Sequence, residues 1–292
     1  MFFEKYSKKT DGAIRSYDMH SIRTKILCIF VFAACLIFVV VSIFPPLWVF
    51  LASFKDIKEF SRNPTIFPNK LDIGVYINSW KLLHFMKYYT NSIIATVGCV
   101  ICTVVFNGLL GYVLAIIKPR GSKVVLGLVM WSLLIPSTAS MVALLVNIHR
   151  IGLTGSFLPL WLGYGANAFF VILFRQFFLG IPKELIEAAH LDGCGYLRIF
   201  TSILIPLSKS IVTVVIILSI NAAWSDFLLP YITLQGSGHE TVMVRVYTYN
   251  SSNTSAVDLL RAVAFAIIPP IILFSIFQKQ ITLGASAGAL KG

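Results

Sequence analysis

Few side chains in this sequence are of the types that perform catalysis or bind metals. The five histidines are scattered along the chain, and no two are spaced as neighbours on one helix face, so each is interpreted as a surface or packing residue. Cys99 and Cys102 lie in an apolar run without histidines nearby, unlike a zinc site. Gly121-Ser122-Lys123 lacks the preceding glycine of a phosphate-binding loop, and no H-E-x-x-H or G-x-S-x-G motif occurs. The sequence therefore predicts a protein that is not an enzyme and binds no metal or ATP itself.

One polar segment, residues 180–206, differs in composition from the apolar sequence on either side. Pro182 suits a first helical position, and acids in the following turn face the positive end of the helix. Gly193 is placed to end that helix in a left-handed conformation. We predict a short capped helix, which is either an ordinary connecting loop or a surface that docks on another protein. The residues that would make such a contact are Glu184, Glu187, Ala188, Ala189 and Asp192.

Composition places this segment in an all-α membrane protein. Of 292 residues, 57% are hydrophobic and only 12% are charged, which is too little charge for a water-facing surface and excludes a soluble enzyme or a disordered chain. Uncharged runs long enough to cross a bilayer predict six transmembrane helices, the third interrupted by Pro136. These runs are Ile26 to Phe54, Ser92 to Ile117, Val124 to Ile148, Ile151 to Phe174, Ser210 to Leu229 and Ala262 to Gln278.

The distribution of charge predicts the orientation of the chain. Six spans place both termini on one side, and if that side is the cytoplasm, fifteen of the 24 Lys and Arg lie inside. The net charge of +12 is therefore interpreted as orientation and not as a nucleic-acid surface. Within the outer loop, 55–90, Tyr76 to Tyr89 is predicted to form an amphipathic helix on the membrane surface, either a plain anchor or a contact for an external partner. The predicted regions are a cytoplasmic segment 1–25, a transmembrane domain 26–280 and a cytoplasmic tail 281–292.

The predicted spans contain almost no charge. Ion-coupled transporters need carboxylates or histidines near the midplane to bind the coupling ion, and channels need a selectivity filter. Neither pattern is present. If the protein moves a solute uphill, we expect the energy to come from another chain.

The polar segment resembles the signature loop of ATP-binding-cassette (ABC) importer permeases. The resemblance is carried by Glu187-Ala188-Ala189, by glycine four residues later at Gly193, and by the sequence Ile-Leu-Ile-Pro that ends at Pro206. Asp192-Gly193 and Phe200 resemble the carbohydrate, maltose-type branch. Cys194 and Ser210 depart from that branch, which often has alanine and proline there. Residues 44–55, 221–230 and 284–292 resemble other parts of the family, the last of them the end of the smaller of two permease subunits.

The resemblance implies the type I ABC importer permease fold in a bacterial cytoplasmic (inner) membrane. The implied partners are a second, homologous permease, a dimer of ATPase subunits that uses ATP and Mg, an extracytoplasmic binding protein, a sugar or oligosaccharide substrate and membrane lipid. The segment would couple ATPase closure to alternating access, and the tail would reach the ATPase interface. The implied coupling residues are Glu187, Ala188, Ala189, Asp192 and Gly193, with Pro182 and Pro206 as structural residues.

The residues along a substrate pathway are predicted from their chemistry. Sugar transport favours polar and aromatic side chains on inward faces, which indicates Asn107, Asn221, Trp224 and Tyr231; the alternative is that each serves helix packing or interface anchoring. Gly108 and the glycine three residues later are predicted to allow close helix contact. A passive channel and an ion-coupled secondary transporter remain alternatives.

Overall fold

In a computed structural model of the protein, residues 22–62, 65–250 and 254–289 are described, and the regular structure among them is helical throughout. The first of two units ends at Leu71 and the second begins at Asp72. The predicted N-terminal segment, apart from residues 22–25, lies outside the described residues, as do residues 290–292 of the predicted tail.

The first unit contains one long helix, α1 (Ile22–Ser53), followed by the short helix α2 (Ile57–Arg62). α1 continues through Pro45 and Pro46, a pair that transmembrane helices tolerate. Residues Thr24–Ser53 are long and apolar enough to cross a membrane, which confirms a span-length helix at the first predicted run. Beyond the helix, the Lys55 ammonium donates to the Thr65 hydroxyl at 3.1 Å and to the Thr65 carbonyl oxygen, which fixes the end of α1 to the segment that follows α2.

The second unit contains the remaining helices. In chain order they are α3 (Gly74–Leu82), α4 (Phe85–Ile117), α5 (Ser122–Ser132), α6 (Met141–Arg150), α7 (Leu158–Gly165), α8 (Ala168–Phe178), α9 (Lys183–Leu191), α10 (Tyr196–Leu207), α11 (Lys209–Ser225), α12 (Leu228–Leu234), α13 (Val242–Asn250) and α14 (Ala256–Ala289). α4 includes two π-helical stretches, Thr103–Asn107 and Val113–Ile117, and α10 includes a third, Phe200–Leu204.

Among the described residues, three to five segments have the length and composition of a membrane span. Besides α1, these are α4, the Ala256–Gln278 part of α14, and two bent pairs, α7 with α8 at 41° and α10 with α11 at 85°. The third predicted span is not one helix, because α5 ends at Ser132 and a 3₁₀ turn, Ser137–Ser140, follows Pro136 before α6 begins. The interruption falls at Pro136, which has no N–H to pair with the carbonyl four residues earlier, at Ser132.

The start of the fourth predicted span and the end of the fifth are wrong. The fourth span was predicted from Ile151, but α7 begins at Leu158, because Gly152 and Gly155 turn the chain with φ of 71° and 79°. The fifth was predicted to reach Leu229, but α11 ends at Ser225, where Asp226 becomes extended (φ −66°, ψ 127°).

The predicted amphipathic helix of the outer loop is two helices. α3 ends at Leu82 and α4 begins at Phe85, so the second span starts earlier than predicted; His84 between them is left-handed (φ 51°). The aromatic face of α3 packs within the unit, since the Trp80 ring lies 5.0 Å from that of Phe265 in α14. Three polar side chains reinforce this contact, with the Asp258 carboxylate accepting from the Ser79 hydroxyl at 2.9 Å and from Arg261 at 2.8 Å.

α4 is the central helix of the second unit, because it contributes to three buried clusters in turn. Phe85 near its start packs with residues of α3, α13 and α14. Cys99 in its middle packs with α7 and α12. Tyr112 near its end packs with α8, α9, α10 and α11. At 1.5 Å per residue, about 40 Å separates the first and last of these positions, so one helix connects the two ends of the unit.

Glycines allow α4 to lie close to its neighbours, as predicted. A Cβ added at Gly111 would lie 2.8 Å from the Cβ of Phe174 and 3.1 Å from the backbone nitrogen of Arg175, both in α8. A Cβ at Gly98 would lie 2.1 Å from the indole nitrogen of Trp161 in α7. The first contact involves backbone, which cannot move aside cheaply.

We expect Gly111→Ala to lower the unfolding temperature of the purified protein, since α4 and α8 must separate at a cost of about 2 kcal/mol. Gly127→Ala is the matched control, because a Cβ there meets nothing within 4 Å, and alanine is favoured over glycine inside a helix by about 0.5–1 kcal/mol. Thermal unfolding in detergent, followed by circular dichroism, measures both. Equal unfolding temperatures for the two variants would contradict the close approach.

Candidate functional site

The predicted helix of the polar segment is present as α9, and its caps explain its length. Pro182 (φ −56°, ψ 132°) stands immediately before Lys183, so it is the N-cap residue and not the first helical residue that the sequence predicted. Gly193 ends the helix with φ of 75°, as predicted. Its N–H donates to the His190 carbonyl at 3.0 Å, and the Cys194 N–H donates to that of Ala189 at 2.9 Å. These bonds satisfy the last turn of α9.

One face of α9 is part of the core of the unit. Ile186 and Ala189, three residues apart and therefore on one side of the helix, are each only 6% exposed. Both belong to a buried cluster that we call the coupling cluster. Its buried members are Tyr112 and Ala115 of α4, Phe170, Phe174 and Phe178 of α8, Ile186 and Ala189 of α9, Ile199, Phe200 and Leu204 of α10, and Val215 of α11.

The opposite face of α9 points to solvent. Glu187, Ala188, Asp192 and Gly193 are all exposed, whereas Ala189 is buried, so four of the five predicted coupling residues share an accessible surface. We call this exposed set, together with Leu191, the α9 face.

Leu191 belongs to the α9 face but was not among the predicted coupling residues. It is 89% exposed, more than any other large apolar residue in the described part of the chain. An apolar side chain so exposed at the end of a polar helix is accessible to another protein. Once the structure assigns Ile186 and Ala189 to the core, a helical count places position 191 on the opposite side of α9.

α10 connects α9 to the long helices. The rings of His190 and Tyr196 meet edge to face at 5.0 Å across the turn between α9 and α10. Phe200 of α10 then stacks on Tyr112 of α4 with ring centroids 5.7 Å apart. Pro206 is exposed in the last turn of α10, just before the 85° bend into α11. α9 is therefore connected to α4 and α11 by a continuous series of packed side chains.

Asn107, a predicted pathway residue, is fully buried in α4. Its amide nitrogen donates to the Tyr164 carbonyl at 2.8 Å, and its amide oxygen accepts from the Asn167 N–H at 3.0 Å. Tyr164 and Asn167 flank the bend between α7 and α8, so Asn107 satisfies backbone groups that the bend leaves unpaired.

The other three predicted pathway residues lie in different surroundings. Asn221 is exposed on α11. Trp224 is 7% exposed, and its indole donates to the Ala266 carbonyl of α14 at 3.0 Å. Tyr231 is half-buried, with its ring 5.2 Å from those of Phe227 and Tyr247. The contacts of Trp224 and Tyr231 are thus packing contacts, and a role of any of these residues in a substrate pathway stays a prediction.

The two alanines of α9 provide a matched test of its orientation. Ala189→Leu adds three carbons inside the coupling cluster, and we expect it to lower the free energy of unfolding by about 1–3 kcal/mol. Ala188→Leu makes the same chemical change on the exposed α9 face and should leave the unfolding temperature unchanged. Thermal unfolding of both purified proteins checks this. A larger loss for Ala188→Leu would place the wrong face of α9 in the core.

Comparison with known proteins agrees with this architecture. Residues 107–283 match the family described as binding-protein-dependent transport system inner membrane component. The melibiose/raffinose/stachyose import permease protein MelC of Bacillus subtilis is 30% identical, over 94% of this chain and 100% of MelC. The trehalose/maltose transport system permease protein MalG of Thermococcus litoralis is 27% identical, over 87% of this chain and 93% of MalG.

A solved structure shares the fold. The crystal structure of a bacterial ABC transporter that imports the acidic polysaccharide alginate contains a chain that superimposes with a TM-score of 0.78, at 22% identity, over 89% of this chain and 98% of that one. The helical architecture described above is therefore shared with a chain of that transporter. The matching residues run from α4 to α14, and the chain belongs to the family of binding-protein-dependent transport system inner membrane components.

Proposed function

We propose that the chain forms half of the translocation pore of an ATP-driven importer for a sugar or oligosaccharide, and that α9 couples ATPase closure to alternating access. One observation carries the coupling role: α9 has one face in the coupling cluster and the other exposed, with Leu191 89% exposed. The substrate class is supported by the carbohydrates in the names of the relatives MelC and MalG.

The packing suggests how such coupling would work. A dimer of cytoplasmic ATPase subunits, using ATP and Mg, would hold the α9 face and move it on closure. Because a close-packed cluster resists compression, Ile186 and Ala189 would carry α8, α10 and α4 with them. Packed elements with two discrete arrangements transmit such movements. In this proposal the chain is a transport subunit, and hydrolysis occurs on its partners.

The membrane arrangement is proposed in the same way. Six spans would consist of α1, α4, the α5–α6 pair, α7 with α8, α10 with α11, and α14, which places both termini and α9 in the cytoplasm of a bacterial cell. Exposed apolar side chains along α1, α4 and α14 support contact with lipid and with a second, homologous permease. An extracytoplasmic binding protein would deliver the substrate to the opposite side. Asn221, exposed on α11, is the pathway candidate whose amide is accessible for such a substrate.

The proposed contact of the α9 face with the ATPase can be tested by introducing one charged residue. We expect Leu191→Asp to abolish retention of the ATPase subunits when the tagged permease is isolated, because a carboxylate would be buried in an apolar contact. Leu82→Asp is the matched control, since Leu82 is 69% exposed at the end of α3. Both variants should unfold at the wild-type temperature. Full retention of the ATPase by Leu191→Asp would contradict the coupling role of this face.

The energy source distinguishes the proposed importer from its alternatives. With the complex in proteoliposomes, we expect uptake of a labelled oligosaccharide, chosen from a panel by growth of a deletion strain, to require ATP and to persist when ionophores abolish ion gradients. Uptake without ATP would indicate a passive channel. Uptake that stops when the gradients collapse, with ATP present, would indicate a secondary transporter.

A further inference from the structure

A cavity with a strongly basic lining lies at the end of the unit that carries α9. It has a volume of about 540 Å³ and opens where α4 ends, α5 begins and α8 approaches its last turn. Lys118, Arg120, Lys123 and Arg175 line it, and within the part of the chain that the structure describes no acidic side chain does. We call it the basic cavity.

A tight backbone turn and the packing of α8 on α4 place the four cations around one cavity. Lys118 is left-handed (φ 48°), its N–H donates to the Val113 carbonyl at 2.9 Å, and Gly121 turns the chain again with φ of 90°. This tight connection between α4 and α5 places Lys118, Arg120 and Lys123 at the opening of the basic cavity. Arg175 projects from α8, which is fixed against α4 at Gly111. Lys118, Arg120 and Lys123 are exposed and Arg175 is half-buried. Like charges that line one cavity repel one another, and an anion between them would relieve that repulsion.

Arg175 adds an independent indication that the basic cavity has an occupant. Its Nε is buried, yet it finds no hydrogen-bond partner among the described residues. A buried guanidinium donor without an acceptor is costly. Arg175 also lines the cavity, so its guanidinium group can donate to an oxyanion there, and phosphate oxygens suit the forked geometry of arginine.

We propose that the basic cavity binds the phosphate of an anionic phospholipid. In the proposed membrane arrangement, on which this inference rests, α4 ends and α5 begins at the membrane surface, where the phosphates of phospholipids lie. The lining of the cavity favours a lipid too, because Leu114, Val124 and Leu126 form an apolar wall beside the cations, suited to the glycerol and upper acyl chains. Arg175 lies next to Phe174 of the coupling cluster, so the bound lipid braces α8 where α9 packs against it.

The test compares charge removal at the basic cavity with the same removal elsewhere. The full-length permease, isolated with its bound subunits, is titrated with dioleoylphosphatidylglycerol and binding is counted by native mass spectrometry. Each neutralised cation near a membrane surface should weaken binding about fivefold, so Lys118→Gln/Arg120→Gln/Lys123→Gln should lose about 100-fold. The control Lys58→Gln/Lys70→Gln/Lys81→Gln removes the same charge from exposed positions elsewhere and should bind as wild type does.

Further arms of the experiment separate the possible anions. Inorganic phosphate at millimolar concentration should not displace the lipid, and dioleoylphosphatidylcholine should bind with equal affinity to both triple variants. Arg175→Lys should keep more affinity for phosphatidylglycerol than Arg175→Gln. Both variants should unfold at the wild-type temperature. If either unfolds early, Lys118→Gln alone should still show the fivefold loss of binding. The proposal is overturned if the cavity variants bind phosphatidylglycerol as wild type does, if inorganic phosphate competes fully, or if the triple variant instead loses its ATPase subunits with lipid binding unchanged.

Discussion

The burial of one side of a short polar helix in an aromatic and aliphatic cluster is the interaction on which the rest of this structure depends. Ile186 and Ala189 of α9 share the coupling cluster with residues of α4, α8, α10 and α11. Such burial is non-directional, so it does not by itself fix one arrangement. What fixes it is close packing: Gly111 brings the backbones of α4 and α8 together, and Phe200 stacks on Tyr112 at 5.7 Å. α9 is therefore positioned by the same contacts that position the apolar helices.

Irregular backbone makes this packing possible, and its unpaired N–H and C=O groups need hydrogen-bond partners. In a bilayer, an unpaired backbone group costs several kcal/mol, so a bend is tolerated only where protein supplies the missing partner. Asn107 does this for the bend between α7 and α8, with one bond to the Tyr164 carbonyl and one from the Asn167 N–H. It lies in a π-helical stretch of α4, which is itself an irregular element. The polar side chain that looked from sequence like a pathway residue has a structural task that explains its burial.

The sequence predicted those features that depend on neighbouring residues in the chain. The caps of α9 follow from Pro182 and Gly193, with an error of one residue at the start, because capping depends on neighbours in the chain. The end of the second span at Ile117 was predicted, since the basic residues beyond it mark the end of an apolar run. The start of that helix was not predicted, because the left-handed turn at His84 interrupts the run from Tyr76 to Tyr89 without any break in its periodicity.

Hydropathy also could not say what an apolar face contacts. The spacing of Trp80 and Leu83 is the same for a helix lying on lipid and for one packed on protein, and only the structure places Trp80 against Phe265. Leu191 illustrates the converse. Its exposure depends on which side of α9 is buried. That side, with Ile186 and Ala189, is determined by the positions of α8 and α10, which the sequence alone does not give.

The scarcity of charge in this chain gives its few charged surfaces a clear meaning. In the proposed importer, chemical energy enters from the ATPase subunits, and polar residues are needed mainly where other molecules bind. Two such surfaces lie at the same end of α8. The α9 face combines Glu187 and Asp192 with the exposed Leu191, a mixture that repels anionic lipid and suits a protein surface. The basic cavity has the opposite charge and an apolar wall. Neighbouring surfaces of opposite sign would thus sort two kinds of partner, with protein at α9 and lipid phosphate beside it, so that neither competes for the other's site.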